Sequence, residues 1–452
     1  MQGALPVTTA TPGSGERAGG PTDPSHDENL RRGVIATDVK RSVAWCLCLA
    51  FLAAIYGLPL SQAYLEKRAD EESPLLDLFH RAPTAENLHA VEKGIEDASY
   101  PKAFVQPRLQ ALLTRLGRAG NKLAVVGPTG WLYYTPGVRH VGGPGFLNRD
   151  VERSREKEAL DAGQEPITAD PRPAILAFHR ALAQRGIRLV LMPMPDKAEV
   201  QPHELHGRKV TARPQNVDYE ELISELRQQG VAIFDAHGSL PAVVEKPLFL
   251  AQDTHYTPAW MERVAGDLGR FVSALAVLPP AEPLQLHAVE QPVSRLGDLV
   301  DMLKLPEDQQ IFKPQSVQIH QVQDAAGTAW EADPKADILL LGDSFTNIFS
   351  LEGMGWGASA GLGPQLALAL QRPLDVIAQN DSGAFATRQA LARELEAGQD
   401  RLAGKRVVIW EFAARELSVG DWKPIKLPSA PGSSEQGTGA AAPVSPSSAG
   451  TN

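Results

Sequence analysis

The sequence predicts an α/β protein: a sheet with helices on both faces, preceded by one N-terminal transmembrane helix. Three observations carry this reading. From Lys122 onward, short apolar runs alternate with amphipathic ones, the succession expected of strands and covering helices. One stretch, Val43 to Leu60, carries no charge at all. The apolar run Ala336-Asp337-Ile338-Leu339-Leu340-Leu341 leads straight into Gly342-Asp343-Ser344-Phe345, which reads as a buried parallel strand, a tight turn and a serine at the start of the next segment.

In chain order, residues 1–40 are rich in Gly, Pro, Thr and Ser without apolar periodicity, and read as a disordered cytoplasmic tail. Residues 41–65 form the transmembrane signal-anchor: the uncharged run just reaches bilayer-spanning length. Arg31, Arg32, Lys40 and Arg41 precede it and Glu66, Asp70, Glu71 and Glu72 follow, which puts the N-terminus in the cytoplasm and the rest outside. A cleaved signal peptide is the competing reading, and the long polar lead favours a retained anchor. Residues 66–120 are polar with a helical pattern and read as a stalk or lead-in. Residues 121–427 are the main domain. Its strands are expected at 123–126, 188–192, 231–234, 338–341, 376–378 and 407–410, its helices at 173–185, 218–229, 258–275 and 388–396. Gly137 to Gly145 reads as a loop. Residues 428–452 are a second disordered tail.

Composition narrows the chemistry. A formal net charge of −10 over 452 residues argues against nucleic acid. It also opposes a strongly anionic glycan unless a local basic groove overrides it. Both cysteines, Cys46 and Cys48, lie inside the apolar span. The exported domain therefore has no disulfide, no thiol nucleophile and no cysteine-held zinc.

Ser344 is the candidate nucleophile, at the carboxyl edge of the sheet where α/β sites sit. Asp253-Thr254-His255 supplies a base and its orienter: if extended, residues two apart point the same way. The same stretch reads equally as a helix start, with Thr257 as N-cap and Pro258 in the first turn. Asp235 and His237 with Asp253 and His255 can be drawn as a metal site, but separate Asp-x-His pairs lack a ligand spacing.

Gly130-Trp131-Leu132-Tyr133-Tyr134, Pro193-Met194-Pro195-Asp196-Lys197-Ala198, Asp253-Thr254-His255-Tyr256-Thr257-Pro258, Arg295-Leu296-Gly297-Asp298-Leu299, Gly342-Asp343-Ser344-Phe345 and Trp410-Glu411-Phe412 occur in that order. Over about residues 120 to 420 the chain thus resembles the SGNH-hydrolase-like O-acetyltransferases of the alginate, or exopolysaccharide, acetylation group. The Asp-x-His precedes the serine, as in those transferases. The resemblance implies an SGNH-hydrolase-like sheet and a Ser344–His255–Asp253 triad. It also implies a periplasmic domain on a bacterial inner-membrane anchor, a polysaccharide acceptor, and a membrane-bound O-acyltransferase partner that donates acetyl. No organic cofactor or metal is needed, since serine, histidine and oxyanion donors suffice. Asn380 and Gly383 are the oxyanion candidates, in a stretch that reads equally as a plain turn. Arg388, Trp356, Trp410 and Arg415 are candidates for holding the acceptor, with core packing or ion pairing as the alternative; Trp356, in a glycine-rich loop, is the best stacking candidate. Asp196 and Lys197 are expected to shape a loop. An esterase on the same triad and a non-catalytic polysaccharide-binding scaffold are the rival functions.

Overall fold

The computed structural model describes residues 40–70, 73, 75–76, 82–97, 99–207, 213–241 and 245–428. The expected tails, 1–40 and 428–452, lie almost wholly outside them. The chain divides into two compact units, Met1–Ala103 and Phe104–Asn452.

In the first unit, α1 (Arg41–Leu52) passes through a π-turn (Ala53–Gly57) into α2 (Leu58–Arg68). Together they make one helix long and apolar enough to cross a membrane, and Trp45, Leu47, Phe51 and Leu60 stand exposed along it. α3 (Ala85–Asp97) follows, and α4 (Tyr100–Gly117) crosses into the second unit. Helices thus occupy the stretch read as a stalk.

The second unit continues with a short antiparallel hairpin, β1 (Ala124–Val126) and β2 (Leu132–Tyr134). Then come α5 (Thr135–Gly142), α6 (Arg149–Asp161), α7 (Pro171–Gln184), β3 (Arg188–Met194), α8 (Lys197–Val200), α9 (Pro202–His206), α10 (Tyr219–Gln228) and β4 (Ala232–Ile233). After α11 (Pro258–Ala274) the chain makes β5 (His287–Arg295), α12 (Asp298–Met302), β6 (Gln315–Gln323), β7 (Ile338–Gly342) and α13 (Ser344–Asn347). It finishes with α14 (Leu362–Leu370), β8 (Asp375–Ala378), α15 (Ala386–Glu396), β9 (Val407–Ala413) and α16 (Glu416–Val419).

The central sheet is parallel with strand order β4-β3-β9-β7-β8. Its strands are apolar on both faces because both are covered. On β7, Ile338 and Leu340 pack with Trp260, Val264 and Leu268 of α11 and Leu366 of α14. Leu339 and Leu341 point to the opposite cluster, with Phe178 of α7, Leu222 of α10 and Leu391 of α15. All four β7 side chains are fully buried, each worth about 1.5–3 kcal/mol. This is the expected α/β architecture with helices on both faces.

Two expectations are corrected. Of the strand expected at 123–126, residues Ala124–Val126 form one, but in the separate β1–β2 hairpin and not in the main sheet. Gly137 to Gly145 is not all loop, because α5 runs through Gly142 with Pro136 in its first turn. Proline is preorganised for a helix start and outweighs the glycines that follow.

Candidate active site

Ser344 sits where β7 ends and α13 begins. The turn is close: a Cβ on Gly342 would lie 2.0 Å from Thr346 Oγ1, so only glycine fits. Asp343 caps the helix, its Oδ1 accepting the Phe345 N–H at 2.8 Å. Its Oδ2 accepts the Ala413 N–H at 2.8 Å, which ties the turn to the end of β9. Beneath it, Glu411 of β9 accepts from the Asp343 N–H at 3.0 Å and the Thr346 hydroxyl at 2.8 Å. Burial, then the adjacent Asp343 charge, push the Glu411 carboxyl well above its ordinary range.

The structure brings Ser344, His255 and Asp253 together. Ser344 Oγ is 2.8 Å from His255 Nε2, and His255 Nδ1 is 2.6 Å from Asp253 Oδ1. Asp253 and His255 are almost fully buried, and Ser344 keeps 8% of its surface. The tripeptide is bent, not extended as expected: Asp253 Oδ1 also accepts the His255 N–H at 3.2 Å, a local turn that sets the carboxylate against its own imidazole. The helix-start reading holds as well, with Thr257 at the N-cap of α11 and Pro258 in its first turn. Burial disfavours charge on both partners, but their mutual hydrogen bond prevails. The imidazole is raised above its usual pKa and the carboxyl is lowered to about 2.

A shell that the sequence reading missed holds this carboxylate. Asp253 Oδ2 accepts from the Trp356 indole N–H at 3.0 Å and the Asp298 N–H at 3.1 Å. Gly297 lets the backbone pass, since a Cβ there would lie 2.1 Å from Gln252 O. Arg295 donates from Nη1 to Met354 O, holding the loop that carries Trp356. The Asp298 carboxylate takes the Thr254 N–H at 2.8 Å and hydroxyl at 2.6 Å. Lys197 is buried and spans three carbonyls: Leu132 at 2.6 Å, Ala251 at 2.9 Å and Asp253 at 3.0 Å. Burial pushes its ammonium down to about 7, against the pull of Asp253 and Asp298. The rings of Trp131 and Tyr133 stand 5.1 Å from its Nζ. The expected loop-shaping role of Asp196 and Lys197 therefore becomes specific: Lys197 clamps the backbone of Asp253.

Asp298 is raised to about 6 by burial and then by the Asp253 charge. Its own charge helps to raise His255. If His255 is the base, only its neutral form can take the serine proton, so acylation is expected to fall on the acid side of the raised imidazole pKa. Asp298→Asn removes one of the charges that stabilise imidazolium, and its acid limb is expected at lower pH than the parent's. A pH profile of serine acylation checks this; an unmoved limb would refute the coupling.

Several candidate residues stand elsewhere than expected. Trp356 is buried with 1% exposure and bonds Asp253, so it is not a stacking platform. Trp410 is fully buried among Phe178, Phe412 and Trp422. Arg388 lies in the core over the Trp410 ring, its Nε and Nη2 donating to Ala384 O at 3.0 and 2.7 Å. Alternate residues of a doubly covered strand, and one face of its covering helix, must point inward, which explains both. Arg415 forms a buried pair with Asp196, Nη1 to Oδ1 at 3.1 Å, in place of a surface one. Its guanidinium faces the Phe345 ring at 5.7 Å, next to the nucleophile.

Asn380 is exposed and its Oδ1 accepts from Asn347 Nδ2 of α13 at 2.8 Å. Gly383 approaches Asp343 so closely that a Cβ would lie 2.9 Å from the Asp343 Cβ. His237 pairs with Asp235 at 2.7 Å and Glu199 at 3.0 Å, partners that His255 does not share. Those bonds overcome burial and raise it to about 9. Asp253, His255 and Asp298 place possible ligand atoms within 4.8 Å of one another. To hold a cation there, the imidazole would give up either Ser344 or Asp253.

A parallel sheet covered on both faces, with serine, histidine and aspartate converging at its carboxyl edge, has the SGNH-hydrolase-like architecture. Residues 124–414 match the model of the SGNH hydrolase-like domain, acetyltransferase AlgX, and the chain belongs to that family. It is similar to the probable alginate O-acetylase AlgJ of Pseudomonas aeruginosa, 26% identical over 395 residues, 83% of this chain and 91% of the relative. The AlgJ of Azotobacter vinelandii is 25% identical over 288 residues, 61% of this chain and 70% of that protein. Among solved structures, the O-acetyltransferase domain of Pseudomonas putida AlgJ aligns with a TM-score of 0.49 and 21% identity, over 66% of this chain and 93% of that one.

Proposed function

We propose that this protein is a membrane-anchored O-acetyltransferase that moves acetyl groups through acetyl-Ser344 onto hydroxyls of an exported, alginate-like polysaccharide. The observation that carries the reading is the continuous hydrogen-bond relay from Ser344 Oγ to His255 to Asp253. Family membership and the name of the alginate O-acetylase relatives support the reaction class and the acceptor.

In the proposed cycle, His255 Nε2 takes the Ser344 proton as Oγ attacks the donor's acetyl carbonyl. The tetrahedral intermediate collapses, and His255 returns the proton to the departing donor oxygen. An acceptor hydroxyl then loses its proton to His255, attacks acetyl-Ser344 and leaves as the ester, with the proton restored to Oγ. Asp253 holds the tautomer with Nδ1–H and stabilises the imidazolium. The Ser344 N–H has no hydrogen-bond acceptor among the described residues. With the Asn380 amide and the Gly383 N–H it is assigned to the oxyanion. The α1–α2 helix is assigned as a single-pass anchor in a bacterial inner membrane. The N-terminus then faces the cytoplasm, residues 121–427 form the periplasmic catalytic domain, and a membrane-bound O-acyltransferase supplies acetyl.

The full chain in detergent, given a small activated acetyl ester, is expected to gain one acetyl group on Ser344, seen by mass spectrometry. Ser344→Ala should gain none there. With an oligouronate present, acetyl should pass to sugar faster than to water. Equal loss to water with and without sugar would establish the esterase instead, and no Ser344-dependent acylation with any donor would leave the binding scaffold.

A further inference from the structure

A cavity of about 720 Å³ opens between the end of α4, the β1–β2 turn and the segment leading into β6. Arg115 reaches it from the last turn of α4, and Arg118 from the residue that ends the helix in left-handed backbone. Lys313 reaches it from the facing segment. All three are exposed. No Asp or Glu is among the residues that line it. In a chain of net charge −10, Arg172, Arg185, Arg401 and Arg415 are held in ion pairs. Arg115, Arg118 and Lys313 form no ion pair and donate no side-chain hydrogen bond among the described residues. The hydroxyls of Thr114 and Thr129, also in the lining, are engaged by Ala119 O at 2.8 Å and Glu204 at 2.5 Å. The three cations are therefore the free recognition groups.

One lining residue adjoins the triad in sequence. Gln252 lines it, and its Nε2 donates to Lys313 O at 2.9 Å. The next residue is Asp253. The floor is firm: Phe312 beside Lys313 is buried with Ala124 and Leu132 of the hairpin.

We infer that this cavity is an acceptor subsite that holds the carboxylates of a linear polyuronate, with Arg115, Arg118 and Lys313 as their counter-charges. A volume of this size accommodates a short oligosaccharide segment. Arginine pairs with carboxylate through two parallel hydrogen bonds, and three separated cations suit an anion that recurs along a polymer. The subsite supplies the local positive field that an acidic protein needs to attract an acidic polymer. The identity of the polymer rests on the acetyltransferase reading; the charge of the ligand does not.

The test is calorimetric titration of the full-length Ser344→Ala protein in detergent with an oligomannuronate hexamer, so that binding is read without turnover. The parent should bind, and binding should weaken as salt rises. Arg115→Gln/Arg118→Gln/Lys313→Gln is expected to bind at least about tenfold more weakly. Arg115→Lys/Arg118→Lys, which keeps the charges, should retain most of the affinity. If the triple variant unfolds, single Arg115→Gln at its exposed position gives the same readout with a smaller loss. Unchanged affinity in the neutralised variants overturns the assignment. So does equally tight binding of cellohexaose, or binding of phosphatidylglycerol vesicles that displaces the hexamer. Loss of hexamer binding on neutralisation supports the subsite even if the active protein forms no acetyl-serine, so the subsite and the catalytic reading fail separately.

Discussion

Asp253→Asn is expected to slow acetyl-Ser344 formation by about 10⁴-fold, the scale seen when a triad carboxylate becomes an amide. The argument lies in the donor count. Asp253 accepts from four N–H groups: the His255 ring and backbone, the Trp356 indole and the Asp298 backbone. A carboxylate satisfies all four, whereas an amide keeps one acceptor oxygen and gains two donors. If the oxygen faces Trp356 and Asp298, the new NH₂ faces His255 Nδ1. The imidazole must then carry its proton on Nε2, pointing at Ser344, and cannot act as base. If the oxygen faces His255, two buried N–H donors confront an NH₂ group. Single-turnover acylation with a small acetyl ester measures the effect. A loss under tenfold would remove Asp253 from the mechanism.

Lys197→Met is expected to damage stability and activity together. Three carbonyls lose their shared donor; Ala251 O keeps the Leu132 N–H, and the other two are left unpaired at about 1–3 kcal/mol each. Relief from burying an ammonium offsets part of this, leaving a net cost of about 2–4 kcal/mol. Thermal unfolding should begin about 5 °C lower. Because two of the freed carbonyls belong to Ala251 and Asp253, the triad carboxylate also loses its backbone anchor, and acylation should fall even where the variant is fully folded. A variant with normal acylation and a lowered melting temperature would confine Lys197 to a structural role.

The elements legible in the sequence were those with one dominant signal. β7 is an uninterrupted apolar run, β3 and β9 are apolar but for one charged residue each, and α11 begins at a proline. Ser344 and the Asp253–His255 pair were legible because each carries chemistry within a few residues. The shell was not. Trp356 meets Asp253 across 103 positions, and an indole in a glycine-rich loop gives no sign of which way its N–H points. Arg388 and Trp410 looked like acceptor-binding groups because a side chain's type does not reveal its burial. Lys197 illustrates the same gap: a lysine is ordinarily a surface residue, and only the three facing carbonyls show why this one is inside. The β5–β6 hairpin was missed because its strands alternate weakly and are mostly polar, with Pro292 within β5.

The strand order has a consequence for the birth of the protein. β9, the last strand among the described residues, lies in the middle of the sheet between β3 and β7. A ribosome delivers residues 407–413 after the other four strands of the sheet, so the growing chain holds two half-sheets with open inner edges until β9 arrives. Ala413 at the end of that strand supplies the N–H that fixes Asp343 beside the nucleophile. The turn that carries Ser344 therefore lacks this anchor until residue 413 has joined the sheet.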